Sequence, residues 1–263
     1  MPAARQALFS CSIAACLVGH VCGETARAKQ WDDERIAGPF VCRADFSLEP
    51  HLALFSQMAE VQKELVHALG VPAAKEPVEV YLFKEKSTYQ RYLATYFPQV
   101  PYRRALFVKT GGAGRVYVHH GQDFETDLRH ESTHGLLHAS LPMVPLWLDE
   151  GLAEYFEAPP EQRAAKHPNR RKLSMRPFFP TAPHLKVLES RRDIAEMGET
   201  DYVHAWAWVH FMLHGPPEAH QELVQFLADI RAGSPPGLLS DRLQRRLPDV
   251  ERRWVQHFKN TNW

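Results

Sequence analysis

The sequence has no excess of either charge and, beyond its first residues, no long apolar run. Lysine and arginine together number 31, and aspartate and glutamate also number 31, so the formal net charge is zero with neutral histidine. A balanced chain lacks the electrostatic signature of nucleic-acid binding, and we expect no nucleic-acid partner. After residue 25, no apolar run reaches the length of about 18 residues that a transmembrane helix needs, which excludes a polytopic membrane protein.

Cysteine is also scarce, and three of the four cysteines lie in a leader-like segment. Residues 1–28 combine a positive start, an apolar stretch over 7–22 and an A-x-A cleavage site ending at Ala28, the pattern of a secretory signal peptide. The sequence therefore predicts an exported protein, periplasmic or secreted, with no transmembrane helix after cleavage. Lipoprotein anchoring through Cys16 is the alternative, because residues 13–16 are similar to a bacterial lipobox.

Removal of the signal peptide leaves Cys42 as the remaining cysteine, which excludes an internal disulfide framework. The stability of the fold must therefore come from its core. Residues 29–39 are charged and end in Gly-Pro, which indicates a linker. Residues 40–263 are then expected to form one domain, with a β-rich part to about residue 122 and a helical part from about residue 123.

Apolar periodicity predicts an α+β fold in which strands come first and helices follow. Helical spacing predicts a helix over 52–69, and alternation predicts a strand over 78–82. The glycine-rich residues 111–114 between two apolar segments predict a hairpin. Further helices are expected near 89–96, 124–140, 146–157, 185–196, 202–214, 217–231 and 239–259, with a long surface loop over 158–184. This order argues against alternating βαβ units.

The clearest chemical signal is the segment His130-Glu131-Ser132-Thr133-His134. On a helix, positions i and i+4 lie on one face, so His130 and His134 can bind one ion. Zinc suits two imidazoles because it accepts neutral nitrogen ligands in a tetrahedral arrangement. Glu131 lies beside the first histidine and is expected to act as the general base. A helix with two solvated histidines is the alternative interpretation of this pattern.

A second segment, which begins at Trp147, supplies candidates for a third ligand. Glu150 and Glu154 are one helical turn apart and therefore lie on one face. One carboxylate can bind the metal, with the fourth position left to water, while the other accepts the second N–H of a ligand histidine. The alternative is an amphipathic helix whose carboxylates face solvent and whose apolar residues face the core.

The two motifs together resemble the gluzincin branch of the zinc metallopeptidases, in which HExxH lies on one helix and a glutamate ligand on a later one. The sequence W-L-D-E-G over 147–151 resembles the W-L-N-E-G segment of the aminopeptidases in that branch. The resemblance implies a zincin-like fold with a small mixed sheet, a helical second half and one zinc ion between them. It assigns the ligand roles to His130, His134 and Glu150. It also implies that Glu154 orients His130.

The stretch from about Phe40 to about Glu157, and beyond it, also resembles the peptidase MA-like domains of bacterial exported proteins. Segments 78–83, 103–108 and 145–157 carry this resemblance. It implies the fold and the site, and gives little about the substrate.

Two further roles follow from the gluzincin resemblance. Gluzincins place a tyrosine or histidine beyond the ligand helix to stabilise the oxyanion, which implies this role for Tyr202, with His204 as the alternative donor. They also bind extended substrate along an edge strand, a role expected for residues 115–119 and so for Val116, Tyr117 and Val118. The alternatives are that Tyr202 belongs to the core and that the hairpin only covers it.

The expected activity is hydrolysis of peptide bonds in a peptide or protein substrate, by metal-activated water with Glu131 as general base. A binding or envelope-assembly protein that keeps the fold without turnover is the alternative. A zinc hydrolase of non-peptide amides or esters is a variant of the main hypothesis. The sequence carries no indication of the cleavage preference or of the oligomeric state.

Overall fold

A computed structural model describes residues 31–109, 112–175 and 181–259 of the chain. The predicted signal peptide, its cleavage site and Cys16 lie outside these residues. Among the helices of the described ranges, none is long and apolar enough to cross a membrane. The described residues form an α+β fold, with a five-stranded sheet in the amino-terminal half and helices in the rest.

The sheet is mixed, with its parallel strands at the centre. Its strands are β1 (Asp33–Ala37), β2 (Phe40–Ala44), β3 (Val78–Phe83), β4 (Ala105–Lys109) and β5 (Gly114–His119). The order across the sheet is β1-β2-β3-β5-β4. Strands β2, β3 and β5 are parallel, whereas β1 and β4 pair antiparallel to their neighbours at the two edges.

The expected linker over 29–39 is wrong for its described part, because residues 33–37 form β1. This strand joins β2 through a tight turn at Gly38, whose φ of 56° is a conformation that glycine adopts at little cost. The side chains of β1 are mostly exposed, so the apolar alternation that identifies a half-buried strand is missing. Pairing with β2 makes it a strand.

Helices cover both faces of the sheet and continue into the second half. Their bounds are α1 (Leu52–Leu69), α2 (Lys86–Tyr96), α3 (Phe124–Ser140), α4 (Leu146–Phe156), α5 (Pro160–Arg163), α6 (Pro168–Ser174), α7 (Leu185–Ser190), α8 (Glu199–His214), α9 (Pro217–Arg231), α10 (Leu239–Arg246) and α11 (Val250–Lys259). The predicted helix over 52–69 is confirmed. It ends at Gly70, which adopts the left-handed conformation common at helix ends.

The two faces of the sheet have different helices. Val116 and Val118 point into the core cluster that includes α1 and α3, whereas Tyr117 points into a second cluster with α2. Helix α3 lies very close to the sheet at Gly135, where a Cβ atom would come within 2.7 Å of Val78 Cγ1. Glycine at this position lets the helix that carries the HExxH motif rest directly on β3.

Helix α8 is the centre of the helical half and packs along α4. At their closest approach, a Cβ atom on Gly151 would lie 2.8 Å from the backbone oxygen of Ala205. The side chains of Ala205, Trp206 and Val209 are fully buried. The position of the second motif helix is therefore determined by close packing against α8.

The expected surface loop over 158–184 is wrong in its described part. Helices α5 and α6 form there, and Arg163, His167 and Leu173 are buried. Arg163 can be buried because it donates to the backbone oxygen of Ala158 and pairs with Glu64. The single helix expected over 239–259 is divided into α10 and α11 at residues 247–249, which include a proline.

Candidate metal centre

Helices α3 and α4 bring the three predicted ligands together. One side-chain atom each of His130, His134 and Glu150 lies within 4.8 Å of the other two. Glu150 Oε2 is 3.6 Å from His130 Nε2 and 3.9 Å from His134 Nε2. All three residues are buried, with at most 1% of each exposed. They are positioned to bind a metal ion.

The facing atoms of these three side chains have no hydrogen-bond partner among the described residues. These atoms are Nε2 of His130, Nε2 of His134 and both carboxylate oxygens of Glu150. Buried polar groups are nearly always satisfied, and leaving one unpaired costs about 1–3 kcal/mol. Three of these atoms, one from each residue, lie within 4.8 Å of one another, which fits a site that binds a metal ion.

The electrostatics of the three residues are those of a cation site. Burial disfavours a charge on His130, but the nearby carboxylates of Glu150 and Glu157 outweigh burial and raise its pKa well above the usual value. The pKa of His134 is also raised, because Asp149 and Glu150 outweigh burial. Both histidines therefore hold a proton more strongly than a free imidazole does. A metal ion must displace these protons, so its affinity rises with pH.

Glu157 orients His130. Its Oε2 atom lies 2.9 Å from His130 Nδ1. A carboxylate accepts hydrogen bonds, so Nδ1 is the nitrogen that donates and Nε2 is left to face Glu150. The resemblance to gluzincins implied this contact for Glu154, three residues earlier. The structure places Glu157, the residue that follows the last turn of α4, against the histidine instead.

Glu154 nevertheless lies close to the same histidine. Oxygen or nitrogen atoms of His130, Glu154 and Glu157 fall within 4.8 Å of one another. Asn169 Nδ2 donates to Glu154 Oε2 at 2.5 Å. Burial, and then the charge of Glu157, raises the pKa of Glu154 to about 7. This shift favours a proton on Glu154, which suits its position beside the carboxylate of Glu157.

Asp149 orients the second ligand. Its Oδ1 atom lies 2.9 Å from His134 Nδ1, and its Oδ2 atom lies 2.9 Å from His138 Nε2. Burial raises the pKa of Asp149, but the two histidines outweigh it and lower the pKa well below its usual range. The sequence analysis assigned no role to Asp149 or to His138. Two features of the sequence could have indicated these residues. Asp149 directly precedes Glu150, and His138 continues the i+4 series of His130 and His134.

Glu131, the expected general base, is fully buried beside the ligand pair. Tyr202 is buried near the start of α8, in a cluster with Met197, Leu146 and Ile194. His204 is half-buried on the same helix. Helix α8 packs along α4, so both candidate oxyanion donors belong to the helix that neighbours the ligand helix.

The expectation for Val116, Tyr117 and Val118 is wrong, because β5 is not an edge strand. It pairs with β3 on one side and with β4 on the other, so its backbone groups are already used. The edge strand beside α3 is β4. Its Phe107 ring stacks on His134 with the ring centroids 6.2 Å apart. The order of segments along the chain suggested β5 as the edge strand beside the site, whereas the order of strands in the sheet makes β4 that edge.

No protein-family model matches this chain, and no curated protein is significantly similar to it in sequence.

Proposed function

We propose that the protein is a zinc-dependent peptidase of the gluzincin type, with a zincin-like fold of the peptidase MA-like kind. The observation that carries the proposal is the convergence of unpaired, buried ligand atoms from His130, His134 and Glu150, with Glu131 next to the first ligand. Two imidazoles and one carboxylate are a common ligand set of catalytic zinc, which leaves a fourth position for water.

The carboxylates that lie beside the two histidine ligands also support zinc. Metal-bound histidines usually donate their other N–H to a carboxylate, which fixes the tautomer and orients the ring. Glu157 has this relation to His130, and Asp149 Oδ1 lies 2.9 Å from His134 Nδ1, at ion-pair distance. The donor set therefore fits one zinc ion, with both supporting carboxylates present.

Each residue then has a defined role in peptide hydrolysis. A bound zinc ion supplies Lewis-acid polarisation and lowers the pKa of water towards about 7. Glu131 accepts a proton from the attacking water and transfers it to the leaving amine. Tyr202, or His204 in its place, donates a hydrogen bond to the developing oxyanion. The burial of Glu131 strengthens these interactions by excluding bulk water.

We propose β4 as the strand that binds the substrate. It is an edge of the sheet, and its Phe107 side chain contacts the ring of His134. An extended peptide can pair with the backbone of a sheet edge, which gives affinity without a particular side-chain sequence. Residues 105–107 of β4 are buried, so this pairing requires the groups that cover the strand to move. The substrate we propose is therefore an extended peptide or protein segment. The leader-like residues 1–28 support action outside the cytoplasm.

The first test combines metal content with peptide hydrolysis. Purified protein should contain about one zinc ion per chain by mass spectrometry, and His134→Ala should lose it. Glu131→Gln should keep the zinc and lose peptide hydrolysis by about 100-fold or more, because general acid–base catalysis contributes at least that factor. Hydrolysis that persists in Glu131→Gln would refute the mechanism. Failure of the folded wild-type protein to bind zinc would refute the proposal as a whole.

A further inference from the structure

His138 lies one helical turn beyond the second histidine ligand, near the carboxyl-terminal end of α3. Its side chain is 12% exposed, whereas the side chain of His134 is fully buried. Positions i and i+4 share one face of a helix, so the two histidines lie on the same side of α3. The group of His130, His134 and Glu150 does not include His138. This histidine is therefore beside the metal centre but outside its ligand set.

Three contacts fix the position of His138. Its Nε2 atom forms a hydrogen bond of 2.9 Å with Asp149 Oδ2. Its ring packs against Phe107 of β4, with the ring centroids 5.4 Å apart. Lys109, at the end of the same strand, donates from Nζ to the backbone oxygen of His138. The edge strand of the sheet thus holds His138, and His138 in turn holds Asp149.

The contact between Asp149 and the ligand itself is less constrained. Asp149 Oδ1 and His134 Nδ1 lie 2.9 Å apart, but neither atom has a hydrogen-bond partner among the described residues. The two atoms are at ion-pair distance, and their alignment is not that of a hydrogen bond. Within the described part of the chain, the hydrogen bond that fixes the Asp149 carboxylate is the one with His138.

The geometry of a carboxylate connects these two contacts. An ionised carboxylate only accepts hydrogen bonds, so His138 donates from Nε2. The two oxygens of Asp149 belong to one rigid plane, and a donor that fixes Oδ2 therefore also fixes the direction from which Oδ1 faces His134. A metal-bound histidine depends on such a carboxylate for the orientation of its ring and for its tautomer.

We propose that His138 is a positioning residue of the metal centre, which acts through Asp149 to orient His134 for zinc. Without the N–H of His138, the buried Oδ2 atom of Asp149 loses its partner, which is costly. The carboxylate then turns towards the partly exposed position of His138, where water can reach it, and Oδ1 moves away from His134. The inference rests on the zinc site of the proposed function.

A double-mutant cycle on zinc affinity tests the inference, by competition of the full chain with a chromophoric chelator. Asp149→Asn should raise the Kd for zinc by about tenfold or more, because loss of such a carboxylate typically costs 10- to 100-fold in metal affinity. His138→Leu removes the donor and should raise the Kd by about fivefold, a smaller effect because the carboxylate remains. In the Asp149→Asn protein, His138→Leu should change the Kd by less than about twofold.

Two further variants separate this role from a loss of packing. His138→Gln places an amide donor near the position of Nε2, so its Kd should stay within about twofold of wild type. His67→Leu removes an exposed histidine of α1 and should leave the Kd unchanged.

The Nδ1–H proton of His134 gives a spectroscopic readout in the zinc-loaded protein. Its NMR signal should be resolved in wild type and in His138→Gln, because the carboxylate of Asp149 protects this proton. It should be broadened in His138→Leu, because exchange with water becomes faster. A histidine that only fills space would leave this signal unchanged.

Three results would overturn the inference alone. These are an unchanged Kd in His138→Leu, an equal loss of affinity from His138→Leu with and without Asp149→Asn, and a loss in His138→Gln as large as that in His138→Leu. In each case the wild-type protein still binds zinc, so the proposed peptidase function is unaffected. A folded wild-type protein that binds no zinc would refute the proposed function, and this inference with it.

Discussion

Replacement of Glu157 by glutamine should weaken zinc binding, whereas the same replacement of Glu154 should not. Glu157 Oε2 lies 2.9 Å from His130 Nδ1, and 19% of the Glu157 side chain is exposed. Glutamine keeps an acceptor at this position and removes the charge. Glu154 accepts a hydrogen bond from Asn169, and burial raises its pKa to about 7, which favours its protonated form far more than in a free glutamate.

The size of the effect follows from these contacts. Hydrogen bonds to charged groups are worth about 1.5–3 kcal/mol and neutral ones about 1 kcal/mol, so loss of the charge costs roughly 0.5–2 kcal/mol. A cost near the middle of this range corresponds to about a tenfold higher Kd for zinc in Glu157→Gln. Glutamine resembles a protonated glutamate, so Glu154→Gln should change the Kd by less than about threefold.

Competition with a chromophoric zinc chelator, at several pH values, measures both variants. Glu157 also stabilises a proton on His130, so its removal relieves the competition between proton and metal. The difference between Glu157→Gln and wild type should therefore be smaller at pH 6.5 than at pH 8.5. A larger loss of affinity in Glu154→Gln than in Glu157→Gln would refute the assignment and support the role that the resemblance implied for Glu154.

Two stability predictions follow from the packing of the helical half. Gly151→Ala should lower the free energy of unfolding in urea by about 1–3 kcal/mol, because its Cβ atom would lie 2.8 Å from the Ala205 oxygen, whereas Gly198→Ala, with open space around it, should not. Burial lowers the pKa of His210 to about 3 and that of His257 to about 2. The unfolded chain therefore binds protons first, and stability should fall as pH decreases below about 6.5, by up to roughly 1.4 kcal/mol per pH unit for each histidine. Urea unfolding of the metal-free protein between pH 7 and pH 5 should show a shallower slope in His257→Gln, and an unchanged slope would contradict the assignment.

The parts of the fold that the sequence predicted are those with a strong local signal. The helix over 52–69 has regular apolar spacing and a glycine at its end, and the strand that begins at Val78 alternates clearly. Strand β1 has no such signal, because its side chains are mostly exposed and pairing with β2 makes it a strand. The sequence did not indicate the burial of the segment over 158–175 either, because its charged residues are compensated by distant partners such as Glu64.

The same distinction between local and long-range signals applies to the site. The three ligand candidates could be named because i and i+4 spacing on a helix is a local property, and the structure brings them together. The strand that faces them could not be named, because that depends on the order of strands in the sheet. Strand β5 is nearer to α3 in the chain, but β4 occupies the edge. Sequence separation is a poor guide to sheet order once strands pair in parallel.

The choice between Glu154 and Glu157 illustrates the limit of transferring roles by register. Glu150, Glu154 and Glu157 are spaced four and three residues apart, so all lie on one face of the ligand helix. Which of them reaches His130 depends on how the end of α4 sits against α3. Arg129 Nε donates to the backbone oxygen of Glu157 at 2.6 Å and holds that end beside the neighbouring residue, His130. A long-range contact of a buried arginine thus decides which carboxylate orients the ligand, and the spacing within the motif does not contain it.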